Sequence, residues 1–233
     1  MENVLTILYH KIKSANADVL YFGYEEHSVN SQNDIKRYSH KSIYPKVEDG
    51  HDFFCRAIKE GNPCVTSWSA IYRNQFLKEN NIKFIENLKY EDAPFVLEAM
   101  AKANKIGKVN KYLNYYVINE KSETTIRDAR VFDIIKIIDI IRHYFSDKKY
   151  MQDIIDKLTV RILMNYNIQE CYQSDKKVAM KFISDSFDYL KLNVPNYKKS
   201  SYFKERGFAR SIIEKHEFIT KLYCLLYISF RRE

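Results

Sequence analysis

The chain has 233 residues, 45% of them apolar and 29% charged, with only five glycines and four prolines. That balance fits one large or two small globular domains with a real core, and it excludes disordered, collagen-like and linker-rich architectures. Lysine and arginine (38) outnumber aspartate and glutamate (30), giving a net charge of +8, which suits a polyanionic partner such as nucleic acid, an anionic membrane surface or a phosphorylated ligand.

From the N-terminus, Val4, Leu5, Leu8 and Ile12 fall on one face of a helix. The early Glu2 in the amphipathic Met1 to Lys13 stretch argues against a signal peptide. Asp18 to Tyr24 is apolar on both faces, the pattern of a strand covered on both sides of a sheet. The polar stretch Glu25 to Lys46 reads as loop. Asp49 to Glu60 reads as a helix capped by Asp49, ended by Gly61-Asn62-Pro63. Cys64 to Trp68 is expected to be a short strand and Arg73 to Asn80 a short helix. Asp92 to Asn104 is a helix with Asp92 at the cap and Pro94 in the first turn. Tyr112 to Ile118 reads as a strand.

Beyond about residue 128 the pattern turns helical. Val131, Ile134, Ile135, Ile138, Ile141 and Phe145 form a buried stripe, with Asp133, Lys136, Asp139 and His143 opposite. Further helices are expected at about 152–172, 176–192 and 212–230. The fold class expected is therefore α/β, a partial α/β domain over residues 1–128 followed by an all-helical domain over 129–233. A strand apolar on both faces needs neighbours on both edges, yet only one helix precedes it. The chain thus reads as starting inside a domain, with two or three units of about 30 residues missing.

Cys55, Cys64, Cys171 and Cys224 form no C-x-x-C pair, and the histidines share no ligand spacing, so the cysteines read as thiols of a reducing, cytoplasmic compartment and zinc is not expected. The longest apolar run, Leu222 to Phe230, is too short to span a bilayer. Lysines and arginines interleaved with aromatics between Tyr197 and Arg210 read as a solvated face or a peripheral contact with the inner face of the membrane, and not as a nucleic-acid surface.

Three segments in combination carry a resemblance: Trp68-Ser-Ala-Ile-Tyr-Arg73, Phe76 to Phe84, and Tyr90-Glu91-Asp92-Ala-Pro-Phe95. With Tyr115-Tyr116 and Ser122 to Thr125, they resemble the acceptor-side half of family 2 glycosyltransferases of the GT-A fold, which build bacterial capsule and lipopolysaccharide. The resemblance spans roughly Met1 to Thr125. It implies inverting transfer from a nucleotide sugar to a saccharide acceptor, with Asp92 as the general base, Glu91 beside it, and Trp68, Tyr90 and Tyr116 at the acceptor. The family uses Mg or Mn to neutralise the leaving diphosphate. Its Asp-x-Asp metal motif and nucleotide-binding first strand are absent here. Val117 and Lys121 stand where relatives often carry Arg and Gly.

Each residue also has a plainer reading. Asp92 fits an N-cap, Glu91 a solvated charge favourable to the helix dipole, and Trp68 a core aromatic. Two functions remain open: a glycosyltransferase, truncated and inactive as this chain alone, or a non-catalytic remnant or interaction protein that keeps the acceptor-half fold. This chain is expected to bind nucleotide sugars weakly or not at all, and to self-associate through an uncovered sheet.

Overall fold

The computed structural model describes residues 3–28, 31–38, 47–60, 65–118, 128–173 and 175–230. The chain divides into two compact units, Met1–Thr125 and Ile126–Glu233.

The first unit is a curled α/β sheet with helices against it. Helix α1 (Val4–Ala15) starts at Asn3, whose side chain accepts from Leu5 N–H, and stops at Asn16 in the left-handed conformation. Strand β1 (Val19–Ser28) then runs through the middle of the sheet. Along one edge it pairs in parallel with β5 (Ile106–Ile118). Its other edge has two partners. Val19, Leu20 and Tyr21 pair with β4 (Ala70–Tyr72), and Tyr24 to Ser28 pair with β2 (Ser31–Tyr38), both antiparallel. A two-residue strand β3 (Val47–Glu48) pairs with Ile106 and Gly107.

The expectation that β1 lacks neighbours does not hold, because both of its edges are paired and Val19, Leu20, Tyr21 and Phe22 are buried. Leu20 and Phe22 pack with Leu8 and Ile12 of α1 on one face. Tyr21 meets Phe53 of α2 (Gly50–Glu60) on the other, with ring centroids 6.4 Å apart. Asp49 starts α2 as expected, its Oδ1 accepting from His51 N–H (2.9 Å) and Asp52 N–H (3.1 Å).

The expected loop over 25–46 is corrected in part. Its first half is the β1–β2 hairpin arm, held by polar pairs that carry no apolar alternation, such as Arg37 Nε donating to Glu25 (2.8 Å). The expected strand at 64–68 is also corrected: Ser67–Ser69 is a 3-10 turn feeding β4, tightened by the hydroxyls of Thr66 and Ser69 at 2.7 Å. Helices α3 (Asn74–Glu79) and α4 (Asp92–Lys102) follow.

Two glycines are required by close approach. A Cβ on Gly50 would lie 2.2 Å from Ala103 O, where α2 begins against the end of α4. A Cβ on Gly23 would lie 2.8 Å from both the Tyr112 ring and Tyr38 O. At Gly23 the register of β1 against β5 also shifts.

The second unit is helical. A 3-10 turn capped by Asp128 leads into α5 (Asp133–Tyr144), then α6 (Gln152–Gln173), α7 (Lys176–Asn193), α8 (Phe208–Lys215) and α9 (Glu217–Phe230). Ile134, Ile138 and Ile141 of α5 pack inward as expected, with Val131 and Phe145. The stripe is shifted in two places: Ile137 is buried and Ile135 only half-buried, and Asp133 is buried with Lys136 Nζ on its carboxylate at 2.6 Å. Arg142 ties three helices, donating to Asp156 (2.6 Å) on α6 and to Asn193 O (3.1 Å) at the end of α7.

The single helix expected over 212–230 is broken at His216, whose backbone is extended. Thr220 Oγ1 donates to Ile213 O (2.7 Å) and His216 O (3.1 Å), satisfying carbonyls that the break exposes. Among the described residues no helix is long and apolar enough to cross a membrane, and Cys55 and Cys224 are thiols.

Candidate acceptor site

An aromatic cluster forms where the Ser67–Ser69 turn meets the upper half of the sheet. Trp68 and Tyr116 stack face to face, with centroids 5.1 Å apart and planes 3° from parallel. Tyr24 of β1 meets Trp68 edge-on at 4.8 Å and stacks on Tyr38 of β2 at 5.1 Å. Asn114 of β5, which pairs with Tyr24, donates from Nδ2 to Trp68 O at 3.5 Å. Tyr115 points to the opposite face beside His27, as strand alternation requires. The structure thus brings together Trp68 and Tyr116, and it adds Tyr24 and Tyr38. The two additions follow only once the β1–β2 hairpin and its Tyr24–Tyr38 pairing are known. Trp68 and Tyr116 each have one ring face engaged by the other and are half-buried; an aromatic face left to solvent is the kind of surface on which the apolar face of a sugar ring can stack.

The second element is the start of α4. Tyr90 has φ +66°. The other described non-glycine residues with positive φ are all asparagines, Asn16, Asn81 and Asn87, which tolerate that region, whereas a bulky aromatic does not adopt it without being held there. Ala93 N–H donates to Tyr90 O at 3.1 Å, closing the turn.

Asp92 is not the helix cap. Glu91 takes the cap position with a helical backbone, no side chain caps the helix, and Asp92 is already its first residue. The left-handed Tyr90 turns the chain one residue earlier than the cap reading assumed. Among the described residues neither Glu91 nor Asp92 has a side-chain hydrogen bond or ion pair, so both carboxylates remain available to a ligand.

Packing links the two elements. Phe95, one turn into α4, meets Tyr72 of β4 edge-on at 5.1 Å and stacks on Phe84 at 4.1 Å, and α4 packs against the Trp68 turn. Asp18 fastens the same elements from below. Its buried carboxylate accepts from Arg73, from Asn104 N–H (2.7 Å) and from Lys105 N–H (3.2 Å). One side chain therefore holds the start of β1, the end of β4 and the loop leaving α4. In the sequence Asp18 reads only as the beginning of a strand.

Ser122, Thr124, Thr125 and Lys121 lie outside the described residues. Among the described residues no three His, Cys, Asp or Glu side chains are placed to hold a metal ion. Asp49 spends one carboxylate oxygen on the α2 N-terminus.

No protein-family model matches the chain, and neither does any curated protein sequence. Solved structures do. Staphylococcus aureus TarS 1–349 in complex with UDP-GlcNAc matches with a TM-score of 0.61 at 18% identity, over 98% of this chain and 63% of that one. A second TarS 1–349 structure gives 0.58 at 17% identity, over 98% and 62%. A further TarS structure gives 0.55 at 17% identity, over 95% of this chain and 38% of that one. The chain spans less than two thirds of the length of each. At that identity the likeness establishes the fold alone, a mixed α/β chain with a C-terminal helical region whose fold is glycosyltransferase-like.

Proposed function

We propose that this chain carries the acceptor side of an inverting, nucleotide-sugar-dependent glycosyltransferase of the GT-A, family 2 type, acting on a bacterial surface polysaccharide. The observation that carries the reading is the uncommitted Glu91–Asp92 carboxylate pair, set by the left-handed Tyr90 at the head of a helix packed on the Trp68 turn. The likeness to TarS, whose crystals hold UDP-GlcNAc, supports it.

In this reading Trp68, Tyr116 and Tyr24 hold the acceptor sugar by ring stacking, with Tyr90 beside it. Asp92 accepts the proton of the attacking hydroxyl as its oxygen bonds to the anomeric carbon and the nucleoside diphosphate leaves. Among the described residues no three His, Cys, Asp or Glu side chains are grouped to hold the divalent metal that the family employs. A second reading, a non-catalytic remnant or interaction protein that keeps the acceptor-side fold, rests on the sequence, which carries no Asp-x-Asp pair.

Trp68 is the chain's single tryptophan, so its fluorescence reports acceptor binding directly. The experiment titrates the chain with fragments of bacterial surface polysaccharides, then measures UDP release from UDP-sugars with Mn²⁺ and the best acceptor. Saturable change in Trp68 emission is expected. Release above the buffer rate that falls about 10²–10⁴-fold in Asp92→Asn supports catalysis. Saccharide binding with release at the buffer rate in both proteins supports the second reading. No saccharide affecting Trp68 overturns the transferase reading.

A further inference from the structure

We propose that the outward faces of α8 and α9 form a docking surface for an anionic lipid bilayer. Phe208 and Ile212 of α8, one turn apart, are exposed, and so are Phe218, Leu222 and Leu226 on α9, at positions i, i+4 and i+8. The inner side of α9 is marked by buried Thr220 and Cys224, so the exposed stripe lies opposite the core. Phe208 and Phe218 are 84% and 77% exposed. Leu192, at the end of α7, is 81% exposed, and Lys191 beside it reaches Glu217 at the start of α9 (3.0 Å). Large apolar side chains that each stand clear of the surface need a separate pocket in a rigid partner, whereas a fluid acyl layer takes them all without one.

The charge around them names the lipid. Every carboxylate between residues 197 and 230 faces an internal cation: Glu205 is held by Lys157 and Arg161, Glu214 by Arg210, and Glu217 by Lys191 and Lys221. Lys198, Lys199 and Lys215 have no carboxylate partner among the described residues. Lys215 follows Phe208 and Ile212 on the same face of α8. It sits over the Phe203 ring at 5.0 Å, and its carbonyl receives Tyr197 O–H at 3.5 Å, which places the 198–199 lysines next to the α8–α9 corner. Apolar anchors rimmed by lysines without counter-ions match phosphate headgroups above an acyl layer.

The test is sedimentation of the full chain with vesicles of 70% phosphatidylcholine and 30% phosphatidylglycerol, and with pure phosphatidylcholine vesicles. Binding to the anionic vesicles only, weakened when NaCl rises from about 0.05 to 0.5 M, is expected. Lys198→Gln with Lys199→Gln and Lys215→Gln should lower the partition coefficient about 100-fold, near fivefold for each lysine. Phe208→Ser with Phe218→Ser should lower it at least about tenfold. Apart from the half-buried Lys215, both variants alter exposed side chains, and unchanged circular dichroism melting confirms that they fold. No binding to anionic vesicles, equal binding by both variants, or a dimer that the phenylalanine variant dissociates would each overturn the proposal. The readout is vesicle binding, so its failure leaves the transferase reading standing.

Discussion

Asp18→Ala removes one carboxylate and leaves the N–H groups of Asn104 and Lys105 without their acceptor and the half-exposed Arg73 guanidinium without its partner. Leaving the two backbone donors without an acceptor costs about 2–4 kcal/mol, while the half-exposed guanidinium can turn to water and adds little. Removing Arg73 instead should cost only about 1 kcal/mol, because its side chain is 45% exposed and Asp18 keeps both backbone donors. Asp18→Asn should fall between the two, as its amide can accept from the N–H groups but presents no charge to the guanidinium. Urea unfolding followed by Trp68 fluorescence isolates the first unit, which contains the only tryptophan. The reasoning is refuted if Asp18→Ala costs less than about 1 kcal/mol, or if Arg73→Ala costs as much as Asp18→Ala.

Asp92→Asn and Asp92→Ala should both melt within about 1 kcal/mol of the parent, as the dipole contribution of a first-turn acid is that small; a loss confined to Ala would restore the cap role. A double-mutant cycle on Trp68→Ala and Tyr116→Ala should return a coupling of about 0.5–1.5 kcal/mol, and additive costs would show that the stacked pair contributes nothing of its own. Gly50→Ala should destabilise by about 1–3 kcal/mol through the clash with Ala103 O, measurable by thermal melting, whereas a neutral result would mean that α2 and α4 separate at no cost. Burial pushes Glu205 up, but hydrogen bonds from Lys157 and the charge of Arg161 outweigh it and hold its pKa below the ordinary carboxylate value. Its contribution is therefore complete above the unfolded-state pKa and lost as pH falls through the folded one. The difference in melting temperature between the parent and Glu205→Gln should be full at about pH 6–7 and close below about pH 4, and a pH-independent difference would count against the assignment.

The parts of the fold legible in the sequence were those with an apolar period. Val19 to Phe22 announces a strand buried on both faces, and the stripes of α5 to α7 announce a helical unit. What escaped depends on groups distant in sequence or on polar pairing. Strand β2 carries no alternation, since Arg37–Glu25 and Tyr24–Tyr38 hold it, and both pairs need the hairpin register. Asp92 has the residue type of a cap, but a cap needs an extended backbone, and the left-handed Tyr90 sets a helical one at Glu91. The break at His216 is invisible to hydrophobic periodicity because Thr220 satisfies the exposed carbonyls. At the site, sequence resemblance pointed to Trp68 and Tyr116, and the structure brings their rings together. Tyr24 and Tyr38 came only with the register, and Asp18 only with the contacts across 55 to 87 residues of chain that its carboxylate makes.

The outer edge of β1 changes hands at Gly23, from β4 before it to β2 after it. Sheet continuity on that side is thus interrupted at a residue with no side chain, while β5 bridges the gap from the opposite side. The arm beyond Gly23 can consequently be lengthened, shortened or exchanged over evolutionary time without unpairing the buried segment that anchors the helices. Two of the aromatic rings around Trp68, those of Tyr24 and Tyr38, ride on that exchangeable arm. The shape of the aromatic cluster around Trp68 can therefore vary with that arm while the sheet under the Glu91–Asp92 pair keeps its pairing.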